Sequence, residues 1–311
     1  MRISDNMRYG GFVPAYQSLL SQQINVQQQI SSGTRIQKLS DDPNAALQAQ
    51  AHTQHIDALD QNNTNIGEAN DWSLTTDTVL TQGLDILQRA RDLAVQAGDG
   101  TMGATQRQQM IPEINNLLQG LVDMGSQSHL GNTVLSGNKT GTNAFSTTVD
   151  ALNQITAVTY NGDGGSRSIE VEPGRVTAYN VLGSNENGGS YGALRDTTAG
   201  VDAFQTLIDL RNNINANNVP AISNTSLADL DKSINHLLQG MTINGSTQNR
   251  LTTAQTINTS TIGVETDARS KLQDTDLASA AIQLAQLQTT YQASLKTGAN
   301  LMQTSLLDYL R

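Results

Sequence analysis

The clearest periodic signal lies at the C-terminal end of the chain. With Leu277 set at zero and an advance of about 100° per residue, Ala280, Ala281, Leu284, Leu287, Tyr291, Leu295, Ala299, Met302 and Leu306 share an arc of about 120°. Ile282, Leu301 and Leu307 lie off that stripe. So narrow a seam, sustained for about 30 residues, predicts a long helix packed on a partner helix, roughly 45 Å from end to end. The N-terminal end repeats the pattern more weakly. Tyr16, Leu19, Leu20, Ile24, Val26 and Ile30 occupy an arc of about 160° by the same arithmetic. Ser32-Gly33 predicts the end of this helix, and Ser40-Asp41-Asp42-Pro43 predicts the next start, an aspartate cap with proline in the first helical position.

From Pro43 to about Ala97 the pattern stays helical, with Leu80, Leu84 and Leu87 marking one face and Leu93 and Val95 nearby. Gly98-Asp99-Gly100 and Gly103 break it. A further helix is expected to run to about Gln127, starting or kinking at Pro112. The character changes near residue 131. Gly, Asn, Ser and Thr dominate 131–200, and alternating β-formers stand at Ile155–Tyr160, Ser168–Glu172 and Arg175–Val181. Asn161-Gly162 with Gly164-Gly165, then Pro173-Gly174, read as the turns between them. Helical pattern returns over Val201–Ile214, pauses around Asn217–Pro220, and restarts after Ser226, which with Asp229 resembles a capping box. From there helix continues, with breaks expected near Gly245 and Gly263.

The expected fold is therefore mainly α, a long-helix coiled-coil bundle with a small inserted all-β domain. The expected division is a terminal coiled-coil domain of 1–42 with 265–311, a helical rod of 43–140 with 200–264, and a β insert of 141–199 with a core of its own. A length of 311 residues agrees with two or three domains.

Composition narrows the function. The formal charge of −10 argues against a nucleic-acid partner, which requires cations to displace phosphate counterions. Charged residues are only 15% and aromatics 4%, so polarity rests on amides and hydroxyls and the core on aliphatics. No run of about 18 apolar residues exists, so no membrane-spanning helix is expected. The first residues lack the apolar stretch of a secretory signal peptide. The absence of cysteine excludes disulfides and thiolate metal sites.

Chemistry is scarce. His52 and His55 are three apart and share a helix face, without a carboxylate or third histidine at matching spacing, and read as a solvated face. Asp41-Asp42 reads as helix capping rather than a catalytic pair. Asn161-Gly162-Asp163-Gly164-Gly165 reads as a hairpin turn rather than a calcium turn. The N-glycosylation patterns at Asn138, Asn224, Asn244 and Asn258 are expected by chance in a chain so rich in Asn and Thr. No phosphate loop, nucleophile elbow or dinucleotide fingerprint occurs. No catalytic residue, metal or cofactor is expected.

The most informative feature is an absence. Residues 9–34 and 277–295 carry no charge, although their polar faces are rich in Gln. An ordinary solvated hairpin would carry Lys and Glu there. Ends packed together in many copies would accumulate like charge, and amides avoid this while still hydrogen-bonding between helices.

The residues resemble the bacterial flagellin superfamily. Ile30-Ser31-Ser32-Gly33-Thr34-Arg35-Ile36 followed by Ser40-Asp41-Asp42 is similar to its N-terminal motif. Gln88-Arg89-Ala90-Arg91-Asp92-Leu93-Ala94-Val95-Gln96 is similar to its spoke helix, and Ser305-Leu306-Leu307-Asp308-Tyr309-Leu310-Arg311 to its C-terminus. Met1-Arg2-Ile3-Ser4, Asp41-Asp42-Pro43, and Gly131-Asn132-Thr133-Val134-Leu135-Ser136-Gly137 resemble the hook–filament junction branch. Tyr160-Asn161-Gly162-Asp163 with Ile169-Glu170-Val171, and Phe204-Gln205-Thr206-Leu207, extend that resemblance. It departs at Gly183-Ser184-Asn185-Glu186-Asn187-Gly188-Gly189, where many relatives carry an aromatic.

The resemblance implies a structural, non-enzymatic subunit of the extracellular flagellum, forming the junction ring between hook and filament. It implies export through the flagellar type III apparatus without a signal peptide. The implied partners are other copies in a ring, a hook-associated protein on the hook side, flagellin on the filament side, and an export chaperone; neither nucleic acid nor membrane is implied. The assembly seams would be Tyr16, Leu19, Leu20, Ile24, Val26 and Ile30 against Leu277, Ala281, Leu284, Leu287, Tyr291, Leu295, Met302 and Leu306. The family motifs would be Gly33, Arg35, Asp41, Asp42, Pro43, Arg89, Arg91 and Leu93, with the insert outermost. Flagellin itself is the alternative, and a non-flagellar coiled-coil protein or enzyme with a helical hairpin the second.

Overall fold

The computed structural model describes residues 5–309, with side chains described for 13–299. Met1-Arg2-Ile3-Ser4 and Leu310-Arg311 lie outside the described residues. The described chain is mainly α with small antiparallel strand pairs. Its elements are α1 (Asp5–Ser32), α2 (Pro43–Ala97), α3 (Ala104–Gln108), α4 (Ile111–Gly125), β1 (Ser128–His129), β2 (Asn132–Thr133), β3 (Phe145–Val149), β4 (Ile155–Tyr160), β5 (Ser168–Glu172), β6 (Arg175–Ala178), β7 (Arg195–Asp196), β8 (Val201–Asp202), α5 (Ala203–Asn215), α6 (Val219–Ala221), a π-turn (Ile222–Ser226), α7 (Leu227–Gln273) and α8 (Leu277–Tyr309).

Two compact units divide the chain. One is Met1–Asp57 with Thr261–Arg311, as far as its residues are described; the other is Ala58–Ser260. Both divisions fall inside long helices, so α2 and α7 each contribute to both units.

The larger unit is built around one apolar cluster. It takes Trp72, Leu80 and Leu87 from α2, Leu118 and Leu121 from α4, Phe204 and Leu207 from α5, and Leu230 and Leu237 from α7. The same cluster takes Phe145, Ile155, Val158, Tyr160, Val181 and Leu194 from the insert. The expected separate core of the insert is thus not found. Three phenylalanines are too few to fill two cores, and two of them meet at the joint. The Phe145 and Phe204 rings lie 4.7 Å apart, with Tyr160 at 5.3 Å from Phe145. Gly125 lets Phe145 sit against α4, since a Cβ there would stand 2.7 Å from its ring.

Cations on the flanking segments reinforce this joint. Arg211 of α5 donates to the Ile155 carbonyl at 2.7 Å. Arg195 donates to the Val158 carbonyl at 2.8 Å and pairs with Glu186 and Asp202. A loop joins the insert to α7 through buried polar groups. His236 approaches the Gly192 carbonyl at 2.9 Å and Asp196 at 3.6 Å, and the Tyr191 ring stacks on its imidazole.

The strands form four separate antiparallel pairs, β1–β2, β3–β4, β5–β6 and β7–β8. Pro173-Gly174 is the turn of β5–β6, where Glu172 faces Arg175 and Gly174 has φ +77°. Asn161–Gly165 is not a hairpin turn, because β4 pairs backward with β3 instead of forward with β5. The segment is organised by Asp163, whose Oδ1 accepts from the amides of Asn138 and Gly165. The first strand of that pair, Phe145–Val149, has four exposed positions in five and so lacks the alternation that would reveal it. A smaller cluster of Ile66, Ala69, Val171, Leu251 and Ala254 seats β5 against α2 and α7.

Two further expectations need correction. Ser226 does not start a helix: its side chain is buried, and the chain is already helical from Val219, capped by Asn218 accepting from Ala221 N–H. Gly245 and Gly263 do not break α7, which runs through both positions. Their helical neighbours hold the backbone, and a glycine inside a helix costs only about 1 kcal/mol. The break falls at 274–276 instead.

Truncating Phe204 to alanine should destabilise the larger unit by about 3–5 kcal/mol in urea unfolding. Deleting 143–198 should lower the helical signal and its cooperativity, because it opens the shared core. Retention of native helical stability by that deletion would mean the insert contributes no packing.

Candidate assembly surface

In the terminal unit α1 and α8 pair. Their inward positions are Tyr16, Leu19, Gln23, Val26 and Ile30 on one helix and Ala280, Leu284, Leu287, Tyr291, Ser294 and Gly298 on the other. The spacing alternates three and four, which is the heptad rhythm of a coiled coil. Only Val26 and Ala280 are fully buried; the others are half-buried. The Tyr16 and Tyr291 rings tilt together at 5.1 Å, and their hydroxyls hydrogen-bond.

The remaining expected seam residues with described side chains face solvent. Leu20 is 38% exposed, Ile24 45%, Leu277 54% and Leu295 45%, and Ala281 is exposed too. Val13 and Ile282 join them. The apolar positions therefore divide into an inner set that closes the pair and an outer set that the pair leaves open. Already about half covered, each outer Leu or Ile would gain roughly 1 kcal/mol on full burial, about half the value for a fully exposed one. Met302 and Leu306 lie outside the residues with described side chains.

The loop that ends α1 also fastens the break between α7 and α8. Gly33 takes φ +73°, which allows the chain to leave α1 and bridge Thr34 to Asp274. The Arg35 amide donates to the Gln273 carbonyl at 2.7 Å, and Thr275 N–H to the Gly33 carbonyl at 2.9 Å. The Arg35 guanidinium donates to the Leu272 carbonyl at 2.8 Å and lies 3.6 Å from Asp42. A cation at a helix C-terminus opposes the negative end of the dipole.

Asp42 and Asp41 divide the work expected of both. Asp42 caps α2, its carboxylate accepting from Ala45 N–H, with Pro43 as the first helical residue. Asp41 caps no helix; it closes the preceding loop by accepting from the amides of Lys38 and Gln37. Asp276 caps α8, accepting from the Ser279 hydroxyl and from the amides of Ser279 and Ala278. It was legible from Asp276 and Ser279 as a cap with its third residue, but the continuous apolar pattern masked it.

The other motif residues belong to the larger unit. Arg89 pairs with Glu113 of α4 at 2.6 Å and Arg91 with Asp231 of α7 at 2.6 Å, while Leu93 is buried in the main cluster. The two arginines tie α2 to its neighbours on an exposed flank. Among the described residues no three His, Cys, Asp or Glu side chains are placed to enclose a metal ion. Nor is any described helix long and apolar enough to cross a membrane. What the α1–α8 pair presents to solvent is apolar and amide-bearing helix surface.

Residues 14–140 match the family described as the bacterial flagellin N-terminal helical region. Flagellin FlaB1 of Treponema pallidum is 30% identical over 111 residues, which is 35% of this chain and 39% of that protein. The chain thus spans well under half the length of the curated relatives it matches. Among solved structures, a protein described as a flagellar hook-associated protein from Vibrio parahaemolyticus superimposes with a TM-score of 0.64 at 21% identity, covering 75% of this chain and 100% of that one. Flagellar hook-associated protein-3 from Legionella pneumophila gives 0.60 at 17% identity, covering 72% of this chain and 98% of that one. The fold is the one those structures share.

Hydrogen bonds hold two carboxylates of this loop region below the usual range: those from the Lys38 and Gln37 amides at Asp41, and those from Ser279 and the Ala278 amide at Asp276. A lowered folded value means the stabilisation is complete above the ordinary pKa of about 4 and is lost as pH falls through the folded value. Amide protection factors at Lys38 and Ser279 should therefore fall on acidification below about pH 4. Asp276→Asn should blunt the fall at Ser279 alone; protection unchanged down to pH 2 would refute the account.

Proposed function

We propose that this chain is a structural subunit of the bacterial flagellum that forms the junction ring between hook and filament. The observation that carries this reading is the fold shared over essentially the whole of solved hook-associated structures. The flagellin-like N-terminal region and the open apolar side of the α1–α8 pair support it.

On this reading the terminal helices pack inside the assembly, and the segment 141–199 lies outermost. The outer positions Leu20, Ile24, Leu277 and Leu295 meet other copies, while the inner positions hold each subunit's own pair. A hook-associated protein adjoins the ring on one side and flagellin on the other. The subunit travels unfolded through the flagellar type III apparatus, with a chaperone on its C-terminal helix. The lack of cysteine suits a chain that must thread as a single strand. Flagellin itself is the second reading, favoured by the flagellin relatives and by the match over 14–140. Immuno-electron microscopy of intact flagella separates the two. Label confined to the hook–filament boundary supports a junction ring; label along the filament supports flagellin.

Two substitutions test the two sides of the helix pair. Leu284→Glu puts a charge into the half-buried inner seam, and Leu295→Glu puts one on the open face. Both should give soluble protein with near-native melting of 58–260, exported but not retained at the hook tip. Each removes roughly 1 kcal/mol of burial per subunit, about a fivefold loss at every contact before the cost of the added charge. Gln286→Glu, on an exposed position, should be milder. Normal swimming with both leucine variants would sink the assembly role of these faces.

A further inference from the structure

Glu265 of α7 stands between His52 and His55 of α2, all three within the terminal unit. His55 donates its Nδ1–H to Oε1 at 3.0 Å, and His52 donates to Oε2. The sequence places the two imidazoles three residues apart on one helix face, but the carboxylate comes from more than 200 residues away and could not be read from spacing.

The hydrogen bonding sets which nitrogen of each ring donates to Glu265. A carboxylate at neutral pH only accepts, so each Nδ1 must carry the proton. In its neutral form an imidazole has one N–H, so in that form each Nε2 keeps the lone pair that a cation would take. Among the described residues neither Nε2 has a partner, and the two side chains are 31% and 41% exposed. Both rings are thus clipped to one carboxylate by Nδ1, on side chains that are partly exposed. A carboxylate behind Nδ1–H is the arrangement that sets the tautomer, orients the ring and raises the basicity of a metal-binding Nε2.

The other imidazoles are not available in this way. His236 is buried with Nε2 against the Gly192 carbonyl, and His129 has Nδ1 at 2.9 Å from the Thr75 hydroxyl. No cysteine competes for a borderline cation.

We propose that His52 and His55 form a two-imidazole site for a borderline divalent transition cation of the Zn²⁺ or Ni²⁺ class, bound through Nε2, with Glu265 as the orienting carboxylate. The chain supplies two ligands and water the rest, so the site is open and its affinity modest. Ca²⁺ and Mg²⁺, which take oxygen ligands, are not its ions. A bound cation holds both rings in the tautomer that donates to Glu265, and so tightens the clip between α2 and α7.

Calorimetric titration of Zn²⁺ alone into the untagged full chain tests this. One saturable equivalent is expected, abolished in His52→Ala and in His55→Ala, and unchanged in His129→Ala. Glu265→Gln should weaken it by about 10–100-fold, the usual loss on removing an orienting partner. Circular dichroism establishes that each variant keeps its helices, which is expected because both imidazoles are partly exposed. Absence of saturable binding, or binding that survives either histidine substitution, overturns the proposal.

Discussion

A pair of helices can bury only the side each turns toward the other. In α1 and α8 that side is one residue wide, from Tyr16 to Ile30 and from Ala280 to Gly298, and only two of its positions are fully buried. Ordering a residue costs about 1–2 kcal/mol of backbone entropy, and so thin a seam returns little against it. What would complete the burial is a neighbour on the open side, where leucines and isoleucines already stand. In the ring proposed above, the feature that leaves the pair poorly buried is also the one that would give it a surface to join.

The larger unit solves the opposite problem. It has few aromatics, yet it must hold an irregular insert to a bundle of helices. Phe145, Tyr160 and Phe204 are concentrated at that joint instead of being spread through two cores. Arg195 and Arg211 then donate to carbonyls of the strand at that joint, Val158 and Ile155. Two-stranded pairs are marginal by themselves, so the insert's stability depends on what it leans against.

The long helices were legible because their periodicity persists over tens of residues, and their ends because Gly33, Asp42 with Pro43, and Gly98 leave few alternatives. The strand Phe145–Val149 was hidden, since Ser146, Thr147 and Thr148 all face solvent. The pairing order was hidden as well: Asn161-Gly162 has the composition of a hairpin turn, but the ladder had formed on the other side of β4. In the α1–α8 pair, periodicity located an apolar stripe without showing which half would be covered. A stripe of about 120–160° is wider than one partner helix occludes. The inward places of Gln23, Ser294 and Gly298 were invisible to a reading that counted apolar residues only. The clip at Glu265 was beyond reach for a different reason, being a contact between helices distant in sequence.

The uncharged faces of α1 and α8 have a consequence for the medium in which such a surface operates. Ion pairs between exposed groups weaken as the Debye length shrinks from about 30 Å in dilute solution to about 3 Å at 1 M salt. A contact made by aliphatic side chains, glutamines and hydroxyls offers nothing for mobile ions to screen. Excluded anions such as sulfate strengthen burial instead. In the proposed assembly, residues 9–34 and 277–295 would thus form a joint that rising salt does not loosen.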